Sequence, residues 1–282
     1  MRTAHPRVVL GLHRSRHERA LLTAAADLGV TAIDTSTNYL GFHSHKVLAD
    51  VAGDLLPKFM VSTKVGYFPA GNGTEHSLAP ARLHAALERT AMDLGREPDL
   101  VFLHNPEHSL ARAPRASASH LLSDSCTVLA DATARGLCGA WGVSSWGPRL
   151  PAEAAGDELP RPDVVMTRTG LLVGADILHA GEALTARLRP EAIWGMSPFG
   201  GSTAEAVWTR FDPRVFMRAP EECTPVQAAF RAAFHLPTVD AVAVGTNKAG
   251  HLRELTESLG RAVDTETVAE YRRLLPRTSQ ED

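Results

Sequence analysis

Eight short apolar segments recur along the chain, and each is followed by a helix or by a segment long enough to form one. The apolar segments are rich in Val, Ile and Leu without strict alternation, which is typical of parallel strands buried on both faces. Between them lie helical patterns such as Leu21, Leu22, Ala25 and Leu28, closed by Gly29. Eight strand–helix units over about 250 residues predict a (β/α)8 TIM barrel.

The rival fold is a doubly wound open sheet. That fold would place a glycine-rich fingerprint directly after the first strand, but the segment Gly11-Leu12-His13-Arg14 supplies a single glycine. The sequence also lacks a linker-like break. We therefore predict one barrel domain over residues 1–282.

Composition excludes several classes of function. The net charge of −3 gives no electrostatic reason to expect nucleic acid or an anionic membrane as a partner. The three cysteines lie far apart and form no CxxC pair, and the histidines are irregularly spaced, so we predict neither a disulfide framework nor a metal site. No apolar run approaches the ~20 residues of a membrane span. A cytoplasmic protein is the expectation.

Polar residues stand at the ends of three consecutive predicted strands. Asp34, Lys64 and His104 close the second, third and fourth strands, and Tyr39 follows in the loop after Asp34. In a TIM barrel the chemistry lies at the carboxyl ends of the strands. Each of the three residues has the parity that points into the barrel, so we expect their side chains to converge.

These four residue types suit proton transfer to or from a carbonyl group. A lysine ammonium should lower the pKa of a nearby phenol, and a carboxylate should keep that lysine charged. Taken singly, each residue has an ordinary alternative: Asp34 as a cap, Tyr39 as packing, Lys64 as a solvated tip, His104 as a satisfied core histidine. Their common depth on adjacent strands favours a catalytic tetrad.

The motifs that carry these residues resemble those of the aldo-keto reductase superfamily. DTSTNYLG is similar to the family's Asp and Tyr segment, VSTKVG to its lysine strand, and LHNP to its His-x-Pro turn. The later segments GVSS, SPFGG and GTNK are similar to its fifth-, seventh- and eighth-strand motifs. The matches run in order over nearly the whole chain.

This resemblance implies an oxidoreductase, monomeric or weakly associated, that reduces a small carbonyl substrate with NADPH. It implies that Tyr39 is the general acid, that Lys64 and Asp34 tune it, and that His104 orients the carbonyl. The resemblance also places a set of residues at the cofactor: Ser144, Ser145, Met166, Ser197, Phe199, Gly200, Gly245, Thr246, Asn247 and Lys248.

The departures from the family pattern lie on the cofactor side. Met166 stands where the family usually has a glutamine, and Met196 stands where it has an aromatic residue. Two alternatives therefore remain beside the reductase. One is a cofactor-independent lyase, cyclase or isomerase that reuses the tetrad, and the other is a non-catalytic barrel that serves as a binding or regulatory subunit.

Three further residues are candidates for the wall of a substrate pocket. Phe68 follows the third strand, Asn105 follows His104, and Trp146 ends the fifth strand. Phe68 and Trp146 have core packing as their ordinary alternative, and Asn105 has a turn before Pro106. The loops that would select the substrate carry no motif that names it.

Overall fold

The computed structural model describes residues 7–71 and 73–275, and its centre is a closed barrel of eight parallel strands. The strands are β1 (Val8–Gly11), β2 (Ala32–Asp34), β3 (Met60–Val65), β6 (Leu100–His104), β7 (Trp141–Ser145), β8 (Val164–Arg168), β9 (Ala192–Met196) and β10 (Ala241–Gly245). They are neighbours in this order, and β10 pairs with β1 to close the barrel. The prediction of a (β/α)8 barrel is confirmed.

Ten α-helices lie among the described residues. They are α1 (Arg19–Asp27), α2 (Ser44–Ala52), α3 (Pro80–Leu94), α4 (Glu107–Leu110), α5 (Ala118–Ala134), α6 (Arg149–Ala154), α7 (Ala175–Leu188), α8 (Pro225–Ala232), α9 (Ala249–Glu257) and α10 (Thr265–Leu274). Local signals set several ends: Pro80 occupies the first turn of α3, and Gly95 closes that helix with φ 68°. Within the described ranges, no helix is long and apolar enough to cross a membrane.

Side chains fill the barrel below the site. Phe102 and Trp194 meet there edge to face, with ring centroids 5.7 Å apart, and Met166 is fully buried beside them. Gly142 on β7 makes room for this layer, because a Cβ at that position would lie 2.7 Å from Cδ1 of Phe102. The packed interior closes the barrel from below and leaves the carboxyl ends of the strands as the open face.

A short hairpin interrupts the barrel pattern between β3 and α3. It consists of two antiparallel strands, β4 (Tyr67–Ala70) and β5 (Gly73–His76). Sequence patterning missed them because the hairpin packs by a few aromatic and imidazole contacts rather than by an alternating apolar face.

Candidate active site

A cavity of about 540 Å³ opens at the carboxyl ends of the barrel strands. All four residues of the predicted tetrad line it: Asp34, Tyr39, Lys64 and His104. Its volume is in the range of ordinary small-molecule pockets. The structure therefore brings together the side chains that the sequence placed on adjacent strand ends.

Lys64 and Asp34 form a buried ion pair at the floor of this cavity. Lys64 Nζ donates to Asp34 Oδ2 and to the Thr35 carbonyl oxygen, the latter at 2.8 Å, and Ser62 Oγ donates to Asp34 Oδ1 at 2.8 Å. Burial acts to lower the pKa of Lys64, but the charges of Asp34 and Tyr39 outweigh it and raise that pKa above the ordinary lysine value. The Lys64 side chain therefore remains a charged ammonium at neutral pH.

The Tyr39 ring lies against this ammonium, with Lys64 Nζ 5.3 Å from the ring centroid. Tyr39 begins a tight turn, Tyr39–Phe42, in which Leu40 and Phe42 adopt φ values of 48° and 70°. Left-handed backbone at non-glycine residues is strained, and such strain is typical of functional loops. His13 packs edge-on against the ring at 4.8 Å between centroids.

Lys64 acts to lower the pKa of Tyr39, as predicted, but the net pKa of the phenol is raised above its ordinary value. Burial is the largest effect and raises the pKa of Tyr39, and although Lys64 acts to lower it, Asp34 raises it further. The phenol therefore holds its proton at neutral pH. A protonated phenol in a cavity is equipped to donate a proton.

His104 lies on the other side of the cavity floor. Its Nδ1 is 3.0 Å from Ser36 Oγ, and its ring centroid is 6.4 Å from that of Tyr39. Burial, reinforced by the charge of Lys64, lowers the pKa of His104 well below the ordinary value. The imidazole is neutral at physiological pH, so one ring nitrogen carries a proton and the other can accept a hydrogen bond.

The predicted cofactor residues fall into two groups. Six of them line the cavity: Met166, Ser197, Phe199, Gly245, Thr246 and Asn247. Four do not: Ser144, Ser145, Gly200 and Lys248. Lys248 is exposed at the N-terminus of α9, outside the cavity wall.

The adjacent serines of β7 differ from each other. Ser144 pairs with His104 and with Met166 across the sheet, and its fully buried Oγ has no hydrogen-bond partner among the described residues. Ser145 faces the other way, and its Oγ donates to Glu107 Oε2 at 2.8 Å. We therefore correct the placement of Ser145: its hydroxyl is used by Glu107.

Glu107 itself was missed by the sequence analysis. Its Oε1 accepts from the backbone N–H groups of Trp146 and Gly147, both at 2.8 Å, so one carboxylate holds the loop that follows β7. Trp146 lines the cavity as predicted, is 46% exposed, and stacks under the guanidinium of Arg168 at 4.9 Å. The available signal was an acidic residue one position after the His-x-Pro turn.

The expected pocket wall is corrected at one position. Asn105 lines the cavity, but Phe68 does not; it packs beneath the Arg82 guanidinium, 4.1 Å from its ring centroid. The neighbouring residue Tyr67 lines the cavity instead. The alternation of side chains along β4 explains the exchange. No group of three metal-ligating side chains occurs in residues 7–71 and 73–275.

Comparison with known proteins decides the family. The model of the aldo/keto reductase family matches residues 12–173, which is more than half of the chain. The chain belongs to the aldo/keto reductase family. This aldo-keto reductase is thus an oxidoreductase of that family.

Solved structures share the fold of this chain. A glycerol dehydrogenase of Gluconobacter oxydans has a TM-score of 0.75 at 17% identity, covering 100% of this chain and 96% of its own. An aldo-keto reductase of Klebsiella pneumoniae in complex with NADPH has a TM-score of 0.70 at 19% identity, covering 98% and 93%. A holo-form aldo-keto reductase of Bacillus halodurans has a TM-score of 0.73 at 14% identity, and the match covers 96% of this chain and 92% of the other. A sequence search of curated proteins finds no significant match.

Proposed function

We propose that this aldo-keto reductase reduces an aldehyde or ketone to an alcohol with NADPH, and that Tyr39 is the general acid. The observation that carries the proposal is the position of the Tyr39 phenol, which lies beside the buried Lys64–Asp34 ion pair and inside a cavity. This arrangement supplies a proton to an oxygen that gains negative charge.

The charges around Tyr39 match the course of the reduction. Before proton transfer, burial and Asp34 hold the phenol protonated. After transfer, the phenolate lies next to the Lys64 ammonium, which stabilises the new negative charge. Asp34 and the Thr35 carbonyl keep that ammonium in place. Solvent then returns the proton to Tyr39.

His104 is the proposed orienting group for the carbonyl oxygen. A neutral imidazole donates from Nε2 when Nε2 carries the proton and Nδ1 carries none. The Ser36 hydroxyl lies 3.0 Å from Nδ1 and itself donates to Asn38 Oδ1 at 2.6 Å. The orienting role needs the tautomer with the proton on Nε2.

The cofactor side of the cavity fits NADPH. The buried hydroxyl of Ser144 has no partner in the described part of the chain. Ser144 lies behind the cavity wall, but its neighbours across the sheet, His104 and Met166, line the cavity, so an amide group bound beside them is the partner we propose for it. Met166 and Met196 line the cavity with thioethers, which pack well against a flat ring. When bound, NADPH supplies the hydride for the reduction.

Basic side chains at the cavity wall and beside it favour NADPH over NADH. Arg14 lines the cavity, and its carbonyl oxygen accepts from Asn247 Nδ2 at 3.3 Å, which joins the loops after β1 and β10. Lys248 follows in the β10 loop. Two cations near one loop suit the additional phosphate that distinguishes NADPH.

Titration of the purified protein with NADPH and NADH tests the proposal directly. Trp146 lines the cavity, so intrinsic fluorescence should report binding. We expect micromolar NADPH binding, weaker NADH binding, and NADPH-dependent turnover in a screen of aldehydes and ketones. The same sample in light scattering should be a monomer or a weak homo-oligomer.

The cofactor-independent alternative gives a different result in this titration. No binding at millimolar NADPH, together with elimination or isomerisation that depends on Tyr39, would replace the reductase proposal with a lyase or isomerase. Absence of any Tyr39-dependent reaction would favour the binding-subunit alternative.

A further inference from the structure

A second phenol, Tyr67, stands in the cavity opposite Tyr39. It is the first residue of β4, and its ring centroid lies 4.8 Å from that of His104 and 4.8 Å from that of His76, both edge to face. Contacts on two sides fix the direction of the ring. The position of its hydroxyl is therefore set before any ligand binds.

The hydrogen bonding of Tyr67 leaves its proton available. Asn105 Nδ2 donates to the Tyr67 hydroxyl at 3.2 Å. A phenol hydroxyl that accepts a hydrogen bond can still donate one, and no acceptor for it occurs in residues 7–71 and 73–275. Burial raises the pKa of Tyr67, so the donor is present at neutral pH. The remaining acceptor must come from the contents of the cavity.

The hairpin that carries Tyr67 is fastened to the active site by His76. Its Nε2 donates to the His104 carbonyl oxygen at 2.7 Å, and its Nδ1 lies 2.7 Å from Ser109 Oγ. Gly66 permits this approach: it adopts φ 136°, and a Cβ there would lie 3.1 Å from His76 Nε2. The position of Tyr67 is thus fixed by hydrogen bonds between its hairpin and the rest of the protein.

The two phenols flank the same imidazole. Their ring centroids lie 6.4 Å and 4.8 Å from that of His104, and both side chains line the cavity, so one small molecule bound there beside His104 can contact both phenols. Tyr39 is assigned to the reacting oxygen, which leaves Tyr67 for another oxygen of the same molecule.

We propose that Tyr67 determines substrate specificity by donating a hydrogen bond to a second oxygen of the substrate, borne on a carbon near the reacting carbonyl. The substrate class is then the small hydroxy-aldehydes and hydroxy-ketones. This inference rests on the proposed reductase function, because it takes the reacting oxygen to be the one at Tyr39.

The chain offers a matched set of variants, since it contains three tyrosines. Tyr67→Phe removes the proposed donor, Tyr39→Phe removes the general acid, and Tyr271→Phe removes a hydroxyl that donates to the Leu171 carbonyl oxygen outside the cavity. Two substrates with the same carbon skeleton are compared, D-glyceraldehyde and propanal. The measured quantities are kcat/KM for each aldehyde and Kd for NADPH.

We expect the wild type to prefer glyceraldehyde. Tyr67→Phe should lower kcat/KM for glyceraldehyde by about three- to tenfold, the effect of one neutral hydrogen bond, and leave that for propanal within about twofold. Tyr271→Phe should leave the ratio of the two unchanged, and NADPH affinity should be the same in Tyr67→Phe as in the wild type. Equal losses for both aldehydes, or no loss for either, would overturn the inference.

A separate measurement distinguishes failure of this inference from failure of the reductase proposal. If the wild type reduces neither aldehyde, saturation-transfer NMR with glycerol and propan-1-ol reports the Tyr67 contact without turnover. Preferential glycerol contact that disappears in Tyr67→Phe supports the assignment of Tyr67. Contact that is equal for the two alcohols, or unchanged in the variant, overturns it.

Discussion

The two halves of the cavity are built differently. The acid–base side is formed by the ends of β2, β3 and β6, where Asp34, Lys64 and His104 are buried and joined to neighbours by hydrogen bonds. The cofactor side is formed by the ends of β8, β9 and β10. There the cavity wall consists of Met166, Met196 and an exposed loop at Gly245 and Asn247.

The proposed function accounts for this difference. Proton transfer depends on a few charges placed within tenths of an ångström, and the protein must hold them before the substrate arrives. A large ligand is held by many contacts that each contribute little, so single contacts can change with small losses. The acid–base side therefore matches the family motifs closely, whereas the cofactor side departs from them.

The largest expected effect is at Tyr39. Tyr39→Phe removes the proton donor and leaves the ring packing against His13 intact, so activity should fall by about 10²- to 10⁴-fold while the fold and NADPH affinity are retained. Steady-state kinetics, circular dichroism and cofactor titration check the three parts. Full activity in this variant would remove Tyr39 from the mechanism.

Lys64→Met should affect stability as well as activity. The change leaves the Asp34 carboxylate buried without its cation, and breaking such a pair costs about 3 to 5 kcal/mol. The free energy of unfolding from urea titration measures this loss. The double variant Asp34→Asn/Lys64→Met is the control and should be more stable than Lys64→Met alone. A double variant no more stable than the single would contradict a coupled pair.

The acid–base side should also be the acid-labile half of the protein. Burial lowers the pKa of His45 and of His76 to about 4, from about 6.5 in the unfolded chain. The unfolded state binds more protons between these values, so stability is full above pH ~6.5 and falls toward pH ~4, by on the order of 3 kcal/mol for each histidine.

Urea unfolding between pH 7.5 and pH 4.5 measures this loss. His45→Gln keeps a hydrogen bond within reach of Thr63 Oγ1, which His45 Nε2 now contacts at 2.7 Å, and removes the titrating group. It should flatten the pH dependence. An unchanged slope in His45→Gln would mean that His45 does not titrate as its burial implies.

The smallest effect is expected at Ser144. Ser144→Ala removes a buried hydroxyl that has no hydrogen-bond partner within residues 7–71 and 73–275, so stability should be unchanged or raised by up to ~1 kcal/mol, while Kd for NADPH should rise about three- to tenfold. Ser145→Ala is the matched control: it removes the bond to Glu107 and should cost stability with little change in cofactor affinity. The reverse pattern would exchange the roles of the two serines.

The sequence by itself determined the barrel and the tetrad. Apolar segments without alternation predict buried parallel strands wherever they occur, and parity placed Asp34, Lys64 and His104 inside the barrel. These are local properties of the chain. They are retained in the folded protein because neighbouring parallel strands must bring their carboxyl ends together.

Only the tertiary structure decided the environment of each group. The raised pKa of Tyr39 depends on how much protein covers the phenol, and the exchange of Phe68 for Tyr67 depends on the hairpin that His76 fastens. The contact that separates Ser145 from Ser144 is the hydrogen bond from Ser145 Oγ to Glu107, which lies 38 residues earlier in the chain. Burial and long-range hydrogen bonds join residues far apart in the chain, and no local pattern encodes them.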